Sequence, residues 1–200
     1  MPMDNTTGYF RLFVAIVLPE AVRTAVLRVQ RELQSLTPRD AIRWSQPEQF
    51  HLTLRFLGNV PVAAVGDLER AVAAVCQPAA PLSLSAQAVG FFPNPRSPRV
   101  LWVGISDREQ QLMNLQRRIE TAVRPLSPEP GAKNFTGHIT LARLKSPRPA
   151  DVRDLVGRAE SLGAQSFGEW TAREIEIIRS ELSPNGARYT SLASCPLGGG

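Results

Sequence analysis

Two tetrapeptides, His51-Leu52-Thr53-Leu54 and His138-Ile139-Thr140-Leu141, hold the only two histidines of this 200-residue chain and stand 87 positions apart, 138 minus 51. The apolar segments around them repeat at nearly the same spacing. "YFRLFVAIVL" returns as "RVLWVGIS", 88 positions on from Leu12 to Val100, and "PLSLSAQAVGFF" returns as "REIEIIRSEL", 91 positions on from Leu82 to Arg173. Two copies at so long a spacing do not make a solenoid, which stacks several short units. They predict one bilobal domain containing a duplicated strand-helix-strand unit, about 9–92 and 99–192, with its halves facing each other across a pseudo-twofold axis.

Periodicity fills in the elements. Val22, Val26, Val29 and Leu33 fall on one helical face, as do Val65, Leu68, Val72 and Val75, then Leu112, Leu115, Ile119 and Val123. "ADVRDLVGRAESL" predicts a fourth helix, "TPRD" a turn and "PNPRSPR" an exposed loop, while "AIRWS", "FHLTLRFLG", "HITLARL" and "ARYTSL" read as strands. Ser106 and Glu109 have the spacing of a capping box, and residues 193–200 are expected to form a flexible tail. Helices alternating with hairpin-like strand pairs give an α+β fold: two lobes, each an antiparallel sheet with helices on its outer face, around a central cleft.

Composition narrows the function classes. At 43% hydrophobic and 20% charged residues, the chain has the make-up of a soluble globular protein. Its longest apolar run near the start, "LFVAIVLP", is too short to span a bilayer, and no signal-peptide pattern precedes it, so a cytoplasmic protein without membrane attachment is expected. Cys76 and Cys195 lack CxxC spacing and a secreted context, and read as free thiols. A net charge of +5 favours anionic partners, nucleic acid above all.

Strand geometry says what the tetrapeptides do. Successive side chains point to opposite faces, so His51 and Thr53 share one face and Leu52 and Leu54 the other, as His138 and Thr140 oppose Ile139 and Leu141. Two facing sheets would then bring two imidazoles and two hydroxyls to one cleft. In-line displacement at phosphorus needs a base on the attacking oxygen and an acid on the leaving oxygen, from opposite sides, and a twofold-related histidine pair supplies both. The threonine hydroxyls can donate to the non-bridging phosphoryl oxygens.

"RLFVAIVLPE", "RWSQPEQFHLTLRFLGNV", "RVLWVGI" and "FTGHITLAR" resemble, in order and spacing, the RNA 2′,3′-cyclic phosphodiesterases, also called 2′-5′ RNA ligases, of the two-histidine phosphoesterase superfamily. The resemblance covers roughly residues 10 to 192, and its hallmark is the pair of HxTx motifs. It implies opening of the cyclic phosphate at RNA 3′ ends to a 2′-phosphate without metal or cofactor, with His51 as acid and His138 as base. RNA ends or cyclic nucleotides would be the partners, and a monomer the working form. It also implies a phosphate contact from Arg143, although strand parity puts Arg143 on the face opposite His138 and offers Arg55 instead. Gly137 stands where many relatives have proline, which predicts a more flexible approach to His138. Trp44, Phe56 and Tyr189 are the aromatics that could stack a base, against core packing; Trp102 and Trp170 read as core or surface.

Three rivals remain open on sequence. A metal hydrolase lacks a third ligand beside the two histidines. A noncatalytic RNA-binding module explains the charge but not the paired His/Thr faces. RNA ligation, joining a cyclic phosphate to a 5′-hydroxyl, uses the same acid and base in reverse.

Overall fold

The computed structural model describes residues 8–37, 42–131, 134–145, 149–183 and 186–198. In chain order the elements are β1 Tyr9–Val17, α1 Glu20–Gln34, β2 Ile42–Trp44, β3 His51–Pro61, α2 Val65–Cys76, β4 Leu82–Phe92, β5 Val100–Ser106, α3 Gln111–Val123, β6 His138–Leu144, α4 Pro149–Ser161, β7 Ser166–Ala172, β8 Glu174–Ser183 and β9 Gly186–Pro196. The strands form a sheet in the order β7-β4-β5-β6-β3-β1-β8-β9, with β2 also on β6, and all the pairings are antiparallel.

The sheet is pinched in the middle. β3 and β6 pair only through Leu52 and Ile139, which divides the molecule into two lobes: β3-β1-β8-β9 and β7-β4-β5-β6 with β2. Each lobe packs under two helices, and the cluster beneath α2 and α3 also takes in Leu82 and Leu84 from β4 and Ala172 from β7. Leu68 and Val72 of α2 and Leu115 and Ile119 of α3 cover Leu12, Ile16 and Leu52; Val26 and Leu33 of α1 and Leu155 of α4 cover Leu101, Ile139 and Leu141. The amphipathic stripes are therefore the buried faces, and the α+β architecture of two antiparallel lobes is the one expected.

The lobes are not the halves of the sequence. β1 and β3 from the first half are completed by β8 and β9 from the second, while β4 from the first half lies between β5 and β7. α1 follows β1 but packs on the other lobe, and α3 follows β5 but packs on the lobe of β1. The twofold relation survives this exchange in the pairing register. Val17 pairs with His51 and Gly104 with His138, so β1 and β5 repeat at 87 (104 minus 17), the spacing of the histidines themselves. Matching Leu12 to Val100 is out by one, because backbone pairing rather than the identity of apolar residues carries the repeat.

Three local expectations change. Residues 193–198 are not a loose tail: β9 continues to Pro196, paired with Glu174, and Cys195 and Leu197 enter the core. α3 is not capped by Ser106; the Asp107 carboxylate accepts the backbone N–H of Leu112 at 2.5 Å and of Glu109 at 3.2 Å, because the helix starts only at Gln111. β7 was not predicted, since Gly168 and Glu169 interrupt its alternation of Phe167, Trp170 and Ala172. The two cysteines are buried free thiols, as expected, and desolvation pushes Cys76 up to about 12. The "TPRD" turn falls mostly outside the described residues.

Candidate active site

The single β3–β6 contact organises the site. In antiparallel strands centred on Leu52 and Ile139, Thr53 comes opposite His138 and His51 opposite Thr140, all on the face away from the core. Directly opposed side chains of this kind have Cβ atoms about 4.5–5.5 Å apart. The four polar groups line one cleft of about 530 Å³. Leu52, Leu54, Ile139 and Leu141 are buried behind them, as parity requires.

Both rings are oriented in the same way. Nδ1 of His51 lies 2.7 Å from the Gln49 carbonyl oxygen and Nδ1 of His138 lies 2.8 Å from that of Thr136, each two residues back along the chain. A carbonyl can only accept, so each Nδ1 carries a hydrogen and each Nε2 is the nitrogen that gains or loses the working proton. Thr53 Oγ1 sits 2.8 Å from His51 Nε2. Burial holds both imidazoles below the ordinary histidine value, His51 at about 4; the backbone hydrogen bonds oppose the shift, and His138 near His51 and Arg143 near His138 add to it. His51 is walled by the rings of Phe13 at 4.7 Å and Tyr189 at 5.4 Å, whereas His138 meets the edge of Phe92 at 4.9 Å.

Both motif strands bulge at the final leucine, and this decides the arginines. On β3, Thr53 pairs with Ala15 but Arg55 with Val14; on β6, Thr140 pairs with Trp102 but Ala142 with Leu101. Leu54 and Leu141 are the extra residues, and an extra residue reverses the side-chain alternation beyond it. Arg143 is thereby turned into the cleft, with Phe56 at the matching place on β3. Arg55 is turned away. Its guanidinium is buried, 2.8 Å from Glu120, and donates to the carbonyls of Pro130 and Glu129 at 3.0 and 2.6 Å and to Ser127 Oγ at 3.3 Å. The parity argument for Arg55 on the cleft side is overturned by that bulge, and Arg55 instead ties β3 to α3 and to the loop that leads towards His138.

The model of the family described as LigT like Phosphoesterase matches the chain twice in succession, over residues 16–102 and 103–189. The chain belongs to the LigT-like phosphoesterases. A curated relative from Archaeoglobus fulgidus, named RNA 2′,3′-cyclic phosphodiesterase, is 34% identical over 182 residues, which cover 91% of this chain and 97% of the relative. A crystal structure from Thermus thermophilus superposes with a TM-score of 0.76 at 32% identity, covering 94% of this chain and 97% of the other. The structure of E. coli LigT complexed with phosphate shares the fold, with a TM-score of 0.72 at 24% identity over 96% and 99% of the two chains.

In this LigT-like cleft Trp44, Phe56 and Tyr189 all contribute to the lining, so each of the aromatics singled out in sequence is at the site. Burial pushes the Tyr189 hydroxyl up, and the positive charges of Arg143 and Arg11 partly offset it. Gly137 is not a loose approach to His138: its carbonyl accepts the Ile105 N–H at 2.9 Å, and a Cβ there would lie 3.3 Å from Ile105 Cβ and 3.2 Å from Leu112 Cδ2. Close packing of β5 and α3 calls for the missing side chain. Among the described residues no three His, Cys, Asp or Glu side chains are grouped to hold a metal ion, and no helix is long and apolar enough to cross a membrane. Among the residues missed in sequence are Gln49 and Thr136, whose backbone carbonyls carry no residue-type signal, the ring supports Phe13 and Phe92, and the cleft arginines Arg11 and Arg43.

Proposed function

We propose that the protein hydrolyses 2′,3′-cyclic phosphate ends of RNA to 2′-phosphomonoesters, with His51 and His138 as a general acid–base pair. The observation that carries the reading is the Leu52–Ile139 junction, which sets two His/Thr pairs about a twofold axis on one cleft face. A phosphorus atom on that axis has an Nε2 on either side. His138, neutral, takes the proton of the attacking water; His51, as imidazolium, gives its Nε2 proton to O3′ as the P–O3′ bond breaks. Thr53, Thr140 and Arg143 donate to the non-bridging oxygens as their charge grows. The order of the two histidines follows the family resemblance.

Burial leaves His51 neutral in the free protein at pH 7, so the ring must take up a proton from solvent as the substrate binds. A desolvated phosphate monoanion beside the ring favours the imidazolium. Substrate binding would thus complete the acid, and with both walls of the cleft drawn from one chain, a cytoplasmic monomer suffices.

The test is turnover of an RNA oligonucleotide ending in a 2′,3′-cyclic phosphate, with the product ends mapped. His51→Ala and His138→Ala should each lose about 10²–10⁴ in rate while remaining folded. Wild-type turnover in both variants would end the mechanism.

A further inference from the structure

The cleft holds more positive charge than the reacting phosphate needs. Arg43 on β2 and Arg143 on β6 are direct cross-strand partners, both exposed and both lining the cleft. Like charges facing each other across antiparallel strands are destabilising. Among the described residues no ion pair neutralises either one, and no Asp or Glu contributes to the cleft wall. On the other wall a third guanidinium, Arg11, lies 4.9 Å above the Phe56 ring. A terminal cyclic phosphodiester brings a single negative charge to three guanidinium groups and an imidazolium.

Resting on the phosphodiesterase reading above, we propose that Arg43 binds the phosphodiester on the 5′ side of the terminal nucleotide while Arg143 faces the reacting phosphate, so that the cleft selects the end of an RNA strand over a cyclic mononucleotide. Adjacent strands carry the two arginines side by side, and their long stems let the planar heads separate onto successive phosphates. Guanidinium groups suit this task because their fork of N–H donors matches phosphate oxygens. Trp44, next to Arg43 and half-buried in the same wall, gives the intervening nucleoside an apolar surface. The second phosphodiester supplies a negative charge that this pair of guanidinium groups lacks in the free protein.

The experiment compares kcat/KM for a dinucleotide ending in a 2′,3′-cyclic phosphate with that for the corresponding cyclic mononucleotide, in the wild type, Arg43→Gln and Arg31→Gln. Arg31 is exposed on α1, apart from the cleft, and serves as the control for overall charge. A charge-assisted phosphate contact predicts a wild-type preference for the dinucleotide of about tenfold or more. Arg43→Gln should bring that ratio close to one, and Arg31→Gln should leave it in place. The log–log salt slope for the dinucleotide should become shallower by about 0.7 in Arg43→Gln, the change for one phosphate contact on a single strand. A wild-type ratio near one, or an Arg43→Gln variant that slows both substrates by the same factor, overturns the proposal while leaving the phosphodiesterase reading intact. Wild-type protein inert on both substrates overturns that reading and the proposal with it.

Discussion

The strand carrying His51 and the strand carrying His138 share a motif, a bulge and a backbone carbonyl under the ring, yet they differ in what surrounds those parts. His51 is packed between Phe13 and Tyr189 and bonded to Thr53, while His138 touches only the edge of Phe92 among described ring contacts and stands beside Arg143. Beyond the bulge, β3 places Phe56 where β6 places Arg143. Near-symmetry of backbone thus coexists with asymmetry of environment. Environment is what sets the proton affinity of a ring, so one fold repeated twice can supply two chemically different histidines.

The sharpest way to break the comparison is by leaving group. An activated aryl ester departs as an anion and needs no acid, so it should rescue much of the loss of about 10²–10⁴ in His51→Ala and none of it in His138→Ala. Rescue of His138→Ala alone would reverse the two roles. The arginines come next. Arg55→Met strands the Glu120 carboxylate and the loop carbonyls, and should cost about 3–5 kcal/mol of stability in denaturant melts. Arg143→Met, at an exposed position, should leave the melt nearly unchanged and slow turnover; equal destabilisation in both would deny that the bulges give these arginines opposite roles.

Smaller effects are expected at the threonines. Thr53→Val and Thr140→Val keep the β-branched shape and remove one donor to a charged phosphate, for a loss of about tenfold to a hundredfold in kcat. Thr53→Val should in addition shift the pH profile more than Thr140→Val, because Thr53 bonds the His51 ring directly. The least effect is on stability against pH. Both histidines have folded-state values below the unfolded value of 6.5, so between the two the unfolded chain binds more protons. Stability should therefore fall as pH drops below about 6.5, with the His51 part continuing to about 4, and His51→Gln should remove more of that sensitivity than His138→Gln in melts taken between pH 7 and 4.

The parts legible in sequence were those that depend on period and spacing. The helix stripes, the leucines behind each motif and the convergence of His51, Thr53, His138 and Thr140 follow from a period of two, a period of 3.6 and a repeat of 87. What parity missed, it missed at one kind of place. A bulge is a single extra residue, and past Leu54 and Leu141 it reversed the sense of the next side chains, so Arg55 and Arg143 exchanged faces relative to expectation; on β3 a second extra residue, Leu57, restores the original sense. The adjacent core residues Leu141 and Ala142 were the available sign, since strict alternation never buries two neighbours. The carbonyls of Gln49 and Thr136 left no sign, because any residue type supplies one. The buried end of β9 was hidden for a different reason: three terminal glycines look the same whether or not the strand before them is paired.

The exchange of strands between the lobes means that neither half of the chain is a folding unit. Cut in the loop between β4 and β5, the first fragment would hold β1 without β8, β4 without β5 and β7, and α1 with no sheet beneath it. Two copies of such a fragment could complete each other, the β4 of one lying beside the β1 of its mate. An unduplicated form of this architecture would have to be an intertwined homodimer, and such a dimer would present two identical histidines. Joining the copies end to end is what frees the two rings to differ.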